Sequence, residues 1–256
     1  MKSIVCRSVI LLTLVAGCGV LNHPYRKDEH GQNYLYSTFR EPPKHLDPAV
    51  SYSSGEYTYL QQIYEPPLQY HYLKRPYELI PLTVREVPEA EYFDAEGNRL
   101  AENAPSDQVA RAVYTLRIVP GIRYQDHPAF ARDESGNPVY VDIPEDRLEG
   151  VKDVFDFRET GSKELTAADF VYQIKRMAHP TVDCPIASYM AKYILGMKDL
   201  SQDLKNELAR IRAERNDKIG AAYSQDENET RDPIWIDLET FDLEGARVLD
   251  DHTYQI

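Results

Sequence analysis

Residues 39–81 read FREPPKHLDPAVSYSSGEYTYLQQIYEPPLQYHYLKRPYELIP, and the prolines in this stretch leave the backbone few choices. Pro43 and Pro48 keep the residue before each of them away from helical angles, so Glu41-Pro42-Pro43 and Leu46-Asp47-Pro48 form an extended entry. A serine-rich turn follows at residues 51–54. Tyr57, Leu60, Ile63 and Tyr64 then recur at three- and four-residue spacing, which predicts a short helix with one apolar face. Ser53 and Glu56 stand at the S-x-x-E spacing of a capping box that would start it. Pro66-Pro67 stops the helix, and residues 68–73 are expected as a strand. Extended chain, polar turn, helix start and strand in so short a space suit the rim of a cleft.

The chain has 256 residues, enough for one large core or two small ones. At 42% apolar it is globular in composition, and it carries 19 tyrosines against 7 phenylalanines. Tyrosine offers rigid amphipathic surface for a binding cleft, and it also serves at half-buried strand positions. Residues 1–17 have the pattern of a secretory signal: Lys2 and Arg7, a short apolar run at residues 9–15, then Ala16-Gly17-Cys18. The run is too short for a permanent membrane span. Loss of this segment removes two cations and no carboxylate, moving the formal charge from −13 to −15. So acidic a chain lacks the clustered Lys and Arg that phosphate contacts need, which excludes a nucleic-acid binder. Of the three cysteines, Cys6 leaves with the signal and Cys18 follows a lipobox-like Val15-Ala16-Gly17. Cys184 stays as a packed thiol with no partner for a disulfide.

Residues 18–33 are polar and read as a tether, and residues 33–39 as a first strand. Residues 74–108 are rich in Pro and Glu and expected to be irregular, with a hairpin turn at residues 94–98. The clearest strand is residues 112–119, AVYTLRIV, with Tyr114, Leu116 and Ile118 on one face. Pro120-Gly121 turns the chain, and residues 122–124 are expected to return antiparallel. Residues 128–163 form an acidic, turn-rich insertion. Within it Asp133, Ser135 and Asn137 have calcium-loop spacing but lack the distal glutamate, so a surface loop is expected. Thr166 and Asp169 form a capping box for a helix whose stripe is Phe170, Val171, Ile174 and Met177. A charged helix over residues 201–218 and an acidic connector over residues 222–232 follow, within a charged helical segment spanning about residues 199–232. The seven histidines are scattered, with no zinc pair, nucleophile elbow or phosphate loop in the sequence, so no catalytic or metal-binding residue is assigned and no cofactor is expected.

Four phrases of the chain resemble bacterial extracellular solute-binding proteins of the oligopeptide and dipeptide type (family 5), the receptors of ABC importers. The first is Leu46-Asp47-Pro48 followed by Ile63-Tyr64-Glu65-Pro66-Pro67-Leu68, and the second is Tyr114-Thr115-Leu116-Arg117-Ile118 with Gly121, Tyr124 and Asp126. In the second, His127 replaces the usual glycine. The third is the helix start Leu165-Thr166-Ala167-Ala168-Asp169-Phe170-Val171, with Pro185-Ile186-Ala187-Ser188-Tyr189 after it. The fourth is the turn into a strand at residues 243–256.

The resemblance implies an α/β fold of the periplasmic-binding-protein-like class II, with mixed sheets. Residues 34–256 would be the incomplete N-terminal part of the two-lobed solute-binding fold. It implies a lipoprotein acylated at Cys18, held at the periplasmic or cell-surface side of a membrane, that performs no reaction. Its partners would be a peptide ligand and the permease and ATPase of an importer. Tyr52, Ser53, Ser54 and Gly55 would meet the ligand backbone, with Tyr189 a further contact. Relatives that carry nickel, haem, sugars or opines leave the ligand open, and a non-binding surface lipoprotein is the remaining alternative. Residues 18–256 alone are expected to bind peptide weakly or not at all.

Overall fold

The strongest alternation in the sequence becomes β4 (Arg111–Arg117), and a four-stranded sheet is assembled around it. β3 (Ala90–Phe93) pairs with one edge and β6 (Thr253–Gln255) with the other, and β5 (Arg247–Asp250) lies outside β6. Leu116 stands opposite Tyr254 in the β4–β6 register. A second, two-stranded sheet joins β1 (Leu68–Tyr70) to β2 (Leu79–Pro81). The computed structural model describes residue 38 and residues 41–256, save 142, 145–147 and 221–222. Pro43–Ile256 forms one compact unit. It is mixed α and β, but its described sheets are antiparallel throughout rather than mixed.

Pattern accounts for the core. Leu116, Ile118, Tyr254, Val84 and Val171 are buried together with the inward stripe of the longest helix. α2 (Ala167–Arg176) starts as its capping spacing requires, the Asp169 carboxylate accepting the Thr166 N–H at 2.8 Å and its hydroxyl at 3.0 Å. The Phe170 ring of α2 stacks on Tyr254 with centroids 5.3 Å apart. After the single turn α3 (Ala187–Met190), α4 (Met197–Ile219) buries Met197, Leu200, Leu204 and Leu208 along one side, a spacing that keeps them on one helical face. Gly245 lets the chain cross Leu195 closely, because a Cβ there would sit 2.5 Å from the Leu195 nitrogen.

Several expectations need correction. Residues 74–108 are irregular only in part: β2 and β3 lie there, β2 pairing with β1 across a hairpin and β3 with β4. The turn expected at residues 94–98 forms, the Asp94 N–H bonding the Asn98 carbonyl at 3.0 Å. The strand expected over residues 68–73 ends at Tyr70, although the His71 N–H still reaches the Glu78 carbonyl at 2.8 Å. Residues 122–124 do not return along β4. They run beside residues 163–165 instead, with Tyr124 N–H bonded to the Lys163 carbonyl and Leu165 N–H to that of Ile122. The acidic insertion is thereby closed at its base, where His127 also bridges Gly161. A Cβ on Gly161 would lie 2.3 Å from the Phe130 carbonyl oxygen, so only glycine fits. The acidic connector is not plain over its described residues, 223–232, since α5 (Gln225–Arg231) forms there and Arg212 of α4 grips Glu229 with two bonds of 2.8 Å. The strand expected over residues 33–39 lies outside the described residues, except for Thr38.

Candidate functional site

The serine-rich turn leads into α1 (Ser54–Ile63), and Ser53 is its N-cap, the hydroxyl accepting the Glu56 N–H at 3.2 Å. Only half of the predicted capping box forms. The Glu56 carboxylate turns away from the cap and accepts the N–H groups of Lys44 and His45, each at 3.0 Å, and the Ser51 hydroxyl at 2.7 Å. Glu56 is buried, and these bonds, the Ser51 hydroxyl first, hold its carboxyl down to about 2. One ionised side chain thus ties the proline-held entry to the first turn of the helix.

Asp47 anchors the same entry from the other side. Its carboxylate accepts the Ala49 N–H at 2.9 Å and takes both terminal nitrogens of Arg176 in α2, one of them at 2.8 Å. Its own carbonyl accepts the N–H groups of Val50 and Ser51. The Arg176 bond is the main reason the Asp47 carboxyl is held below the ordinary range, and the Asp47 bond in turn raises the Arg176 pKa. A bidentate fork fixes orientation as well as distance, so this pair sets the angle at which the entry leaves the core.

The braces leave the outer side of the turn open. Tyr52 is 77% exposed, and the N–H groups of Ser54 and Gly55 have no acceptor among the described residues. These are first-turn donors, which the helix cannot satisfy internally. Gly55 leaves room for close approach: the nearest atom to a Cβ built there is the Ser53 Oγ, at 3.9 Å. The structure therefore brings Tyr52, Ser53, Ser54 and Gly55 into one surface turn, with the Ser53 hydroxyl committed to capping. Tyr189 lies on α3, its exposed ring 4.9 Å from that of Tyr193, and a side-chain hydrogen bond with Tyr193 is the first cause raising its phenol pKa. No hydrogen bond or ring contact among the described residues joins it to the turn. Cys18 lies outside the described residues.

The apolar face predicted for α1 is present but is not packed on the core. Tyr57, Ile63 and Tyr64 are exposed, and Glu56 is the only buried residue of the helix. The insertion's Asp133 carboxylate spends its oxygens on its own turn, accepting the N–H groups of Ser135 and Asn137 at 2.9 and 2.8 Å. No group of three or more potential metal ligands occurs among the described residues. No described helix is long and apolar enough to cross a membrane. No family model, curated protein or solved structure matches the chain.

A second junction brings together parts that the sequence separates widely. The Glu164 carboxylate accepts the Gly121 N–H at 2.7 Å and contacts His252 Nε2 at 3.0 Å. The Gly121 bond, then that of His252, holds the Glu164 carboxyl below its ordinary range. Beside it the Ala167 N–H, at the start of α2, bonds the Asp251 carbonyl at 2.8 Å. Nothing local in the sequence signals Arg176, Glu164 or His252 as joints. Each acts on a partner far along the chain.

Proposed function

We propose that this chain is a substrate-binding lipoprotein of an ABC importer. It takes peptides by main-chain hydrogen bonding in a cleft between lobes, delivers them to a permease, and carries out no reaction. The fold in this reading is a class II periplasmic-binding-protein-like clamshell, of which residues 34–256 form the N-terminal part. The observation that supports it is the convergence of the four family-like phrases. The Leu-Asp-Pro turn is clamped to α2 by Asp47 and Arg176. The strand of the second phrase pairs with that of the fourth. The helix start of the third phrase is bonded to the turns of both through Glu164 and Ala167.

The mechanism follows from what peptides share. A receptor for many sequences must read backbone amides and leave the side chains room. The turn at residues 52–55 offers free N–H donors, a glycine and an exposed tyrosine on a support braced by Glu56 and Asp47. Closure of two lobes by a hinge then buries the ligand and presents one closed form to the permease. The test is uptake of labelled peptides by cells with and without the gene. Loss of peptide uptake with unchanged sugar and nickel uptake is the expected result, and unchanged peptide uptake overturns the reading.

A further inference from the structure

The β1–β2 hairpin ends in His71-Tyr72-Leu73-Lys74-Arg75-Pro76-Tyr77, and this tip sets two adjacent cations among exposed aromatic and aliphatic side chains. Tyr72 is 86% and Leu73 73% exposed, and Tyr77 is exposed beside them. The tip is nonetheless a formed loop. His71 Nδ1 accepts the N–H groups of Leu73 and Lys74, both at 3.2 Å, and the Tyr70 and Tyr77 rings meet edge-on with centroids 5.6 Å apart. Arg75 lies over the Tyr77 ring at 4.4 Å and donates to the Lys74 carbonyl, and no ion pair among the described residues includes it. Lys74 pairs with Glu78 at 2.8 Å, and both side chains stay about half exposed. Among the described residues the only other adjacent pair of cations is Lys175-Arg176, and those side chains are turned to the Leu238 carbonyl and to Asp47.

We propose that this tip docks on an anionic phospholipid surface, with Tyr72 and Leu73 entering the headgroup layer and Lys74 and Arg75 meeting lipid phosphates. Amphipathic aromatic rings settle at that depth, and long cationic side chains reach up to the phosphates from below it. Charge complementarity favours lipid over an acidic protein surface, because the tip pairs its cations with large apolar side chains that have nowhere else to go. The net charge of −15 from residue 18 onward does not oppose this at working salt, since carboxylates more than about 10 Å from the contact are largely screened. The near one, Glu78, is already paired with Lys74. Docking would fix the orientation of a tethered protein that an acyl chain alone leaves free to tumble.

The experiment is flotation of the chain from residue 18 onward, with Cys18→Ser so that no acyl group forms; the compact unit Pro43–Ile256 is retained whole. Vesicles of phosphatidylethanolamine with phosphatidylglycerol are compared with vesicles of phosphatidylcholine. Binding to the anionic vesicles that weakens with salt is expected. Lys74→Gln with Arg75→Gln should weaken it about 25-fold, some fivefold for each cation. Tyr72→Ala with Leu73→Ala, which removes no ring contact or side-chain hydrogen bond of the fold, should weaken it about tenfold. Circular dichroism confirms that each variant is folded. Equal binding to neutral vesicles, no binding to either, or variants that bind like the parent would overturn the proposal. So would self-association in sedimentation that is lost in the Tyr72→Ala, Leu73→Ala variant without any flotation, because the tip would then belong to a protein contact.

Discussion

Around α1 the chain is held by hydrogen bonds to one carboxylate and by one ion pair, whereas around β4 and α4 it is held by apolar contact. α1 buries a single residue, Glu56, and α4 buries four apolar ones in a stripe. Both regions are ordered, but they will fail differently. Hydrophobic burial is non-directional and is lost only when the whole body opens. A turn tied by a few directional bonds can open alone, at a fraction of the global free energy. The ligand-facing turn of the proposed receptor is thus freer than the β4 and α4 region to respond to what binds it.

The largest effect that can test this division is in the core. Leu204 is fully buried on α4, so Leu204→Ala should lower global stability by about 2–5 kcal/mol, read as a fall in the thermal midpoint of every probe together. Arg176→Met comes next. It removes the fork from Asp47, and since both side chains are about one-third exposed the loss is about 1 kcal/mol. The contrast lies in where that loss appears: amide exchange should speed up at residues 44–56 while residues 112–118 stay protected. Equal loosening of both segments would mean that the two regions form one cooperative unit.

How far the sequence reveals each region depends on the same difference. β4 and the stripe of α2 follow from periodicity, because an apolar face repeats at the pitch of its own element. The Thr166–Asp169 box is equally local and forms as spaced. Glu56 shows the limit. Its spacing to Ser53 is right for a capping box, but Lys44, His45 and Ser51 offer three donors to the same carboxylate and take it. β3 is hidden for a related reason, since Ala90-Glu91-Tyr92-Phe93 has no alternation of its own and becomes a strand by pairing with β4. The position of the candidate turn is legible from its serines, but its bracing is not. Asp47 and Arg176 are 129 residues apart, and nothing near either names the other.

Acid should sharpen the comparison by a smaller, local effect. The Glu56 carboxyl sits at about 2 in the fold against an ordinary 4.5, a depressed value. The ionised group therefore stabilises the entry above pH 4.5, and that contribution disappears as pH falls toward about 2. Amide exchange at residues 44–56, corrected for its intrinsic pH dependence, should lose protection across that window before the β4 amides do. In Glu56→Gln the Glu56 share of the loosening should already be present at neutral pH. The acid response that remains should be the smaller one of Asp47, whose carboxyl is also held below its ordinary range by Arg176. A Glu56→Gln protein with the parent's acid response would remove the carboxylate from its central place.

The smallest expected change in stability belongs to Gly55, and it separates structure from function most cleanly. Gly55 has an ordinary helical backbone, and a Cβ there meets nothing closer than the Ser53 Oγ at 3.9 Å. Gly55→Ala should therefore be neutral or stabilising, by up to about 1 kcal/mol, because alanine is the better helix former. Under the peptide-receptor reading the same methyl stands where a ligand backbone must come close to the Ser54 and Gly55 amides, so peptide uptake should fall several-fold in a protein that is no less stable. A variant that is both more stable and fully active would show that the turn only shapes the entry to α1. The open donors would then be met by water, and the ligand contacts would have to be sought elsewhere on the molecule, with the Tyr189–Tyr193 pair the next surface to probe.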